Sequence, residues 1–210
     1  RRFRAEREKN GTLDDRARAY FDGLDITICA VLECIGRFID YARKKHPGNP
    51  RINAETACLE QLRTGAPRNT YEVLQIIYLH FMFSEHIDRM QVRSLGNLDR
   101  TIYPYYERDL REGRYTEAQI REFFACFLMQ WASINNYWGH PFYLGGTKAD
   151  GTSEINELSF LILDVFDQLS IPTPKIQIKT ARNTPDAFLN KALDMIRRGN
   201  NSLVFVSEDS

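Results

Sequence analysis

Two stretches of the chain put polar, small and aromatic residues together at spacings that could hold a small molecule. The first is Gln91-Val92-Arg93-Ser94-Leu95-Gly96-Asn97-Leu98-Asp99, running on into Tyr103-Pro104-Tyr105-Tyr106-Glu107-Arg108-Asp109-Leu110. It places a guanidinium, a hydroxyl, an amide and carboxylates directly after an apolar run, where irregular backbone must find partners in its own side chains or in a ligand. Arg93, Asn97 and Asp99 could equally serve that backbone alone. The second stretch is residues 133–146, S-I-N-N-Y-W-G-H-P-F-Y-L-G-G. Dense aromatics with a few polar groups suit a pocket wall, and the glycine pair permits close backbone approach. An ordinary core loop has the same composition.

Other chemistries lack their residues. The sequence contains no G-x-S-x-G nucleophile elbow, no Walker loop and no G-x-G-x-x-G. The four histidines, His46, His80, His86 and His140, are not spaced as metal ligands, and His80 and His86 fall on different faces of a helix. His46 reads as a surface residue at a helix end and His80 as a core histidine. The cysteines Cys29, Cys34, Cys58 and Cys126 form no C-x-x-C pair, which argues for scattered reduced thiols rather than zinc or a disulfide framework.

Lys+Arg and Asp+Glu number 28 each, so the chain lacks the basic footprint that nucleic-acid binding requires. No apolar stretch is long enough to span a bilayer. The opening Arg1-Arg2-Phe3-Arg4 has no apolar segment behind it of the kind a secretory signal carries. A cytoplasmic protein without membrane or nucleic-acid partners is expected.

Hydrophobic periodicity then predicts the elements that position the two stretches. Helices are expected over 12–46, 53–63, 71–90 and 117–131, the last opened by a Thr116/Gln119 capping box. A short charged helix is expected after Pro104, ending at Gly113. Residues 132–152 read as irregular, followed by a helix over 154–168. Alternation of Ile176 and Ile178 with Gln177 and Lys179 predicts a strand over 175–180. Thr184 caps a helix with Pro185 at its first position, running to Arg198 before Gly199, and 203–206 is a second strand. The early helices and the later helix–strand alternation predict an α/β protein, with a helical region over about 1–132 and an α/β portion over about 133–210.

The first stretch resembles the glycyl radical enzyme pattern S-x-G-R-x-D-Q-x-x-Y-P-Y-Y-x-x-D-L. Gly145-Gly146, Asp150-Gly151 and Asn156-Glu157-Leu158-Ser159 through Asp164 resemble that family's G-G-x-x-x-D-G-x-x-x-x-N-E-L-S-x-L-x-L-D. Pro174 to Lys179 resembles its P-x-x-x-x-R strand, and Thr184-Pro185, Phe188-Leu189 and Ile196-Arg197-Arg198-Gly199 fit its next helix. Order and spacing agree over roughly residues 68–210. Asn97 and Lys179 stand where the patterns carry arginine.

The resemblance implies part of a ten-stranded α/β barrel jacketed by helices, most of this chain being jacket with a few barrel strands. It implies radical chemistry, in which a backbone glycyl radical, installed by a radical-SAM activating enzyme, oxidises a cysteine to a thiyl that takes a hydrogen atom from substrate. None of the four cysteines fits that position, and the R-V-x-G loop does not occur in the sequence. The catalytic Cys and Gly are therefore expected downstream of Ser210, with no bound cofactor and no metal. What this chain would supply is substrate-side wall: Arg93 and Ser94 from the first motif, and Ser133, Trp138 and His140 before the glycine pair. The family's usual histidine before the serine is Arg93 here. The P-Y-Y and N-E-L-S text is closer to the dehydratase branch than to pyruvate formate-lyase itself. The implied protein is a homodimeric lyase or dehydratase for a small diol, hydroxyproline-like or amino-alcohol metabolite. Acyl transfer to coenzyme A of the pyruvate formate-lyase type is the alternative, and a non-catalytic scaffold follows if no radical segments exist.

Overall fold

The computed structural model describes residues 2–88, 94–134 and 140–209, with the side chains of 86–88 outside the description. The chain divides into two compact units, residues 1–66 and 67–210.

The first unit is helical: α1 (Arg2–Lys9), α2 (Asp15–Lys45) and α3 (Pro50–Thr64). The helix expected over 12–46 starts where Asp14 accepts a bond from the Ala17 amide at 2.7 Å. It stops at His46-Pro47-Gly48, as the breaker residues dictate. Asn49 caps α3, whose first residue is Pro50. Ile35 and Ile39 of α2, with Cys58 and Leu62 of α3, are buried, whereas Tyr20, Ile26, Ile28, Phe38 and Tyr41 of α2 are exposed.

The second unit holds α4 (Thr70–Asp88), α5 (Leu98–Arg111), α6 (Glu117–Ser133), β1 (Phe142–Gly145), α7 (Glu157–Leu169), β2 (Ile176–Thr180), α8 (Asp186–Arg197) and β3 (Leu203–Ser207). The strands form a parallel sheet in the order β1-β2-β3, with Phe142 opposite Ile176 and Ile176 opposite Leu203. A fourth backbone segment lies along the other edge of β1. There the Leu95 amide donates to the Pro141 carbonyl and the Tyr143 amide to the Gly96 carbonyl, each at 2.8 Å, and Asn97 pairs with Tyr143 in parallel. One sheet face, bearing Phe142, Leu144, Ile176 and Ile178, is fully buried in a core with Leu158, Ile162 and Phe166 of α7 and Phe188 and Met195 of α8. The other face carries Tyr143, Gln177 and Lys179, which are half-buried, and Val204 and Val206, which are exposed. The architecture is α/β and mostly helical with a small parallel sheet.

Several sequence expectations change. Residues 132–152 contain β1. The helix expected only after Pro104 begins at Leu98 and includes Pro104, which is exposed and takes the loss of one backbone bond in mid-helix. Pro185 occupies the N-cap of α8, while the Thr184 hydroxyl accepts from the Ala181 amide at 2.9 Å. His80 is exposed rather than in the core.

Candidate functional site

The two stretches meet along β1. The polar start of α5 is built around Asp99, which is 0% exposed. Its Oδ2 accepts from the Gly145 amide at 2.8 Å and from the Ser159 hydroxyl at 2.6 Å, and its Oδ1 from the Arg100 amide at 2.8 Å. Burial pushes the Asp99 carboxyl above the usual carboxylate range; the bonds from Ser159, Gly145 and Arg100 oppose that rise, and Glu154 adds to it. Asn97, the residue before α5, makes no capping bond. Its amide reaches the Gly145 carbonyl at 3.4 Å and Glu154 Oε2 at 3.5 Å. Arg100 donates to Glu154 at 3.2 Å, and the Glu154 amide donates to the Gly146 carbonyl at 2.8 Å. Ser159 also closes the capping box of α7 with Asn156.

This cluster holds a turn that only glycine fits. Gly145 and Gly146 have φ of +75° and +118°. A Cβ on Gly145 would lie 2.5 Å from Ile155 Cδ1, and one on Gly146 would lie 3.2 Å from the Glu208 carboxylate. Beyond the turn, on the face opposite the core, Lys179 Nζ sits 3.3 Å from Glu208 and 5.3 Å from the centre of the Tyr143 ring. Gln177 Oε1, on the same face, has no hydrogen-bond partner among the described residues.

Of the residues singled out from sequence, Arg93 and Trp138 lie outside the described residues. Ser94 is exposed, its hydroxyl accepting from the Gly96 amide at 3.1 Å. His140 is 1% exposed, with its ring 4.4 Å from that of Trp131 and its Nε2 3.3 Å from Glu85. Ser94 and His140 come to the same edge of β1, because their chain neighbours Leu95 and Pro141 are hydrogen-bonded. Ser133 ends α6 with its hydroxyl on the Gln130 carbonyl at 2.7 Å, and no bond ties it to the other two. Sequence reasoning passed over Asp99, Glu154 and Ser159 as a unit. The available signal was three acidic or hydroxyl residues flanking a glycine pair inside motifs that matched in register. Among the described residues no cluster of His, Cys, Asp and Glu could hold a metal ion, and no helix is long and apolar enough to cross a membrane.

A family model described as pyruvate formate lyase-like matches residues 2–210. The chain is 25% identical over 151 residues to trans-4-hydroxy-L-proline dehydratase of Clostridioides difficile, covering 63% of this chain and 19% of that protein. It is 24% identical over 170 residues to isethionate sulfite-lyase of Oleidesulfovibrio alaskensis, covering 72% of this chain and 20% of that one. Among solved structures, the glycerol-bound glycerol dehydratase of Clostridium butyricum superposes with a TM-score of 0.80 at 20% identity, over 95% of this chain and 28% of that one. The chain belongs to the pyruvate formate lyase-like family of glycyl radical enzymes. It spans about a fifth of the length of these curated relatives.

Proposed function

We propose that this chain forms part of the substrate-side wall of a glycyl radical lyase or dehydratase acting on a small polar metabolite bearing hydroxyl or amino groups. The observation that carries the reading is the pairing of residues 95–97 beside β1, which brings Ser94 and His140 from two separate family motifs to one strand edge. Arg93, Ser94, Ser133, Trp138 and His140 are the residues assigned to substrate. The three-strand sheet with its fourth segment is assigned as one part of the family's ten-stranded barrel, with residues up to about 132 as jacket. Cysteine and glycine supplied by chain beyond Ser210 carry the radical, installed by a radical-SAM activating enzyme, in a cytoplasmic homodimer. The cysteine thiyl takes a hydrogen atom from a substrate carbon, the neighbouring leaving group departs, and the thiol returns the hydrogen atom. This chain's part is positioning and exclusion of water.

The reading is supported by relatives that are named dehydratases and lyases. The test is anaerobic activation of the protein as its gene encodes it, with paramagnetic resonance for the glycyl radical and turnover of trans-4-hydroxyproline, 1,2-propanediol, glycerol and isethionate. A radical with turnover of one of these is expected, and Ser94→Ala raises its KM about tenfold, the loss of one hydrogen bond to substrate. Turnover of pyruvate with coenzyme A alone would reassign the chain to acyl transfer. Absence of any radical would leave a scaffold.

A further inference from the structure

We infer that Asp99 is a positioning residue for the proposed site: through its bonds to the Gly145 amide and the Ser159 hydroxyl it fixes the Gly145-Gly146 turn, and with it the register of residues 94–97 beside β1. The inference rests on the proposed function for what is positioned, but its geometry stands without it.

The carboxylate has no exposed surface, so it reaches neither solvent nor ligand directly. Every polar atom it accepts from belongs to a different piece of the site: α5 through Arg100, the end of β1 through Gly145, and the start of α7 through Ser159. Gly145 is gripped on both sides, its amide by Asp99 and its carbonyl by Asn97, while the Gly146 carbonyl is held by the Glu154 amide. Glu154 is in turn held by Arg100 and Asn97, the residues flanking Leu98-Asp99. The loop is thus closed on itself: the start of α5 holds the glycine turn, and the glycine turn holds the start of α5. Two consequences reach the exposed polar groups. At one end, fixing residues 97–99 against Gly145 sets which residue of the 94–97 segment lies opposite Pro141, and therefore where Ser94 stands; a slip of one residue would turn its side chain to the other face. At the other end, Gly146 packs against the Lys179–Glu208 pair so closely that a Cβ on it would lie 3.3 Å from Lys179 Cδ and 3.2 Å from the Glu208 carboxylate. A displaced turn therefore moves that pair on the open sheet face. A buried ionisable side chain with three donors from three elements suits this task, because the bonds are strong only in one arrangement.

The test compares Asp99→Asn and Glu154→Gln in the protein as its gene encodes it. Asparagine keeps the shape but loses the charge and puts an N–H₂ where an acceptor oxygen stood. Backbone amide hydrogen exchange is followed by mass spectrometry over residues 142–147 and over the neighbouring β2 and α8. Expected is a rise of about tenfold or more in exchange over 142–147, with β2 and α8 little changed, as when a charge-assisted bond to a buried amide is weakened. In active enzyme Asp99→Asn lowers kcat about tenfold or more while the radical yield stays the same. Glu154→Gln, which keeps an oxygen for Arg100 and Asn97, gives the smaller effect on both readouts. Exchange that rises uniformly across β1, β2 and α8, or does not change at 142–147, overturns the inference, since Asp99 would then only add stability. If no radical forms, the proposed function fails while the exchange pattern still decides the role of Asp99.

Discussion

The glycine turn after β1 yields a prediction whose terms separate cleanly. Gly145→Ala meets two obstacles: a φ of +75°, and a new Cβ 2.5 Å from Ile155 Cδ1 and 3.3 Å from the Lys179 carbonyl. Holding an L-residue in the left-handed region costs about 1–2 kcal/mol, and overpacking a close contact about 1–3 kcal/mol. Gly151 supplies the control, since its φ is +82° and a Cβ there would meet nothing within 4 Å. Gly151→Ala therefore isolates the backbone cost of about 1–2 kcal/mol, and Gly145→Ala should lose about 2–5 kcal/mol. For a chain of this length each kcal/mol lowers Tm by about 2–4 °C. Thermal melts of the two variants should differ by several degrees, with Gly145→Ala lower. Ile155→Val removes the offending Cδ1, so in the double variant Gly145→Ala/Ile155→Val the packing part returns and the backbone part remains. Equal melts for Gly145→Ala and Gly151→Ala would refute the close contact, and so would a double variant no better than the sum of its single changes.

Tyr103 donates to Glu157 at 2.7 Å; that bond, with burial behind it, pushes the Tyr103 phenol up to about 12, and the same bond holds the Glu157 carboxyl below its usual range against the opposing effect of burial. The stability from the raised phenol is present below its unfolded value and lost as pH rises through about 12, whereas that from Glu157 is lost as pH falls through its lowered value; burial also raises Tyr78 and Tyr106, so alkaline absorbance titration should show several late tyrosinates, of which Tyr103→Phe removes one. Pro104→Ala restores a backbone N–H to an exposed mid-helix position of α5 and should raise stability by about 1 kcal/mol or more, less than the full propensity difference because the unfolded chain also gains freedom; denaturant melts check it. Asp109, 0% exposed, accepts from the Thr70 amide at 2.6 Å and faces Arg114 at 3.2 Å, so Asp109→Ala should cost about 2–4 kcal/mol and fray the start of α4, read as exchange of the first amides of that helix.

What the sequence disclosed depended on how far apart the interacting residues stand. The start of α6 was legible because Thr116 and Gln119 cap each other within one turn, whereas α3 begins at Pro50 rather than the expected 53, because Asn49-Pro50, which read as a breaker, is also its cap and first residue. The boundary of α7 shifted from 154 to 157 because its box closes through Asn156 and Ser159, a pair without the usual glutamate or glutamine. The strand β1 was missed because three residues between a proline and two glycines carry little period. Its identity comes from pairing with β2 and with residues 95–97, remote in the chain. Pro104 suggested a helix boundary that the packing of Leu98, Ile102 and Tyr106 overrode. At the site, the residue types of Ser94 and His140 were visible, but their meeting at one strand edge was not. Asp99 read as a polar residue serving its own irregular backbone, since nothing local reveals partners 46 and 60 residues away.

Those separations also set a timetable. Each strand pairing in the second unit joins segments that the chain brings together only by way of intervening helices, since parallel neighbours cannot be linked by a tight turn. Closing such long loops loses chain entropy before any contact forms, whereas helices of the length of α5, α6 and α7 equilibrate far faster. The glycine turn and its carboxylate clamp therefore come into being late, after the helices that carry Asp99 and Ser159 have docked. Substitutions in that clamp should leave the folding rate nearly untouched and appear as faster unfolding, so this corner of the sheet bears on how long the assembled structure lasts.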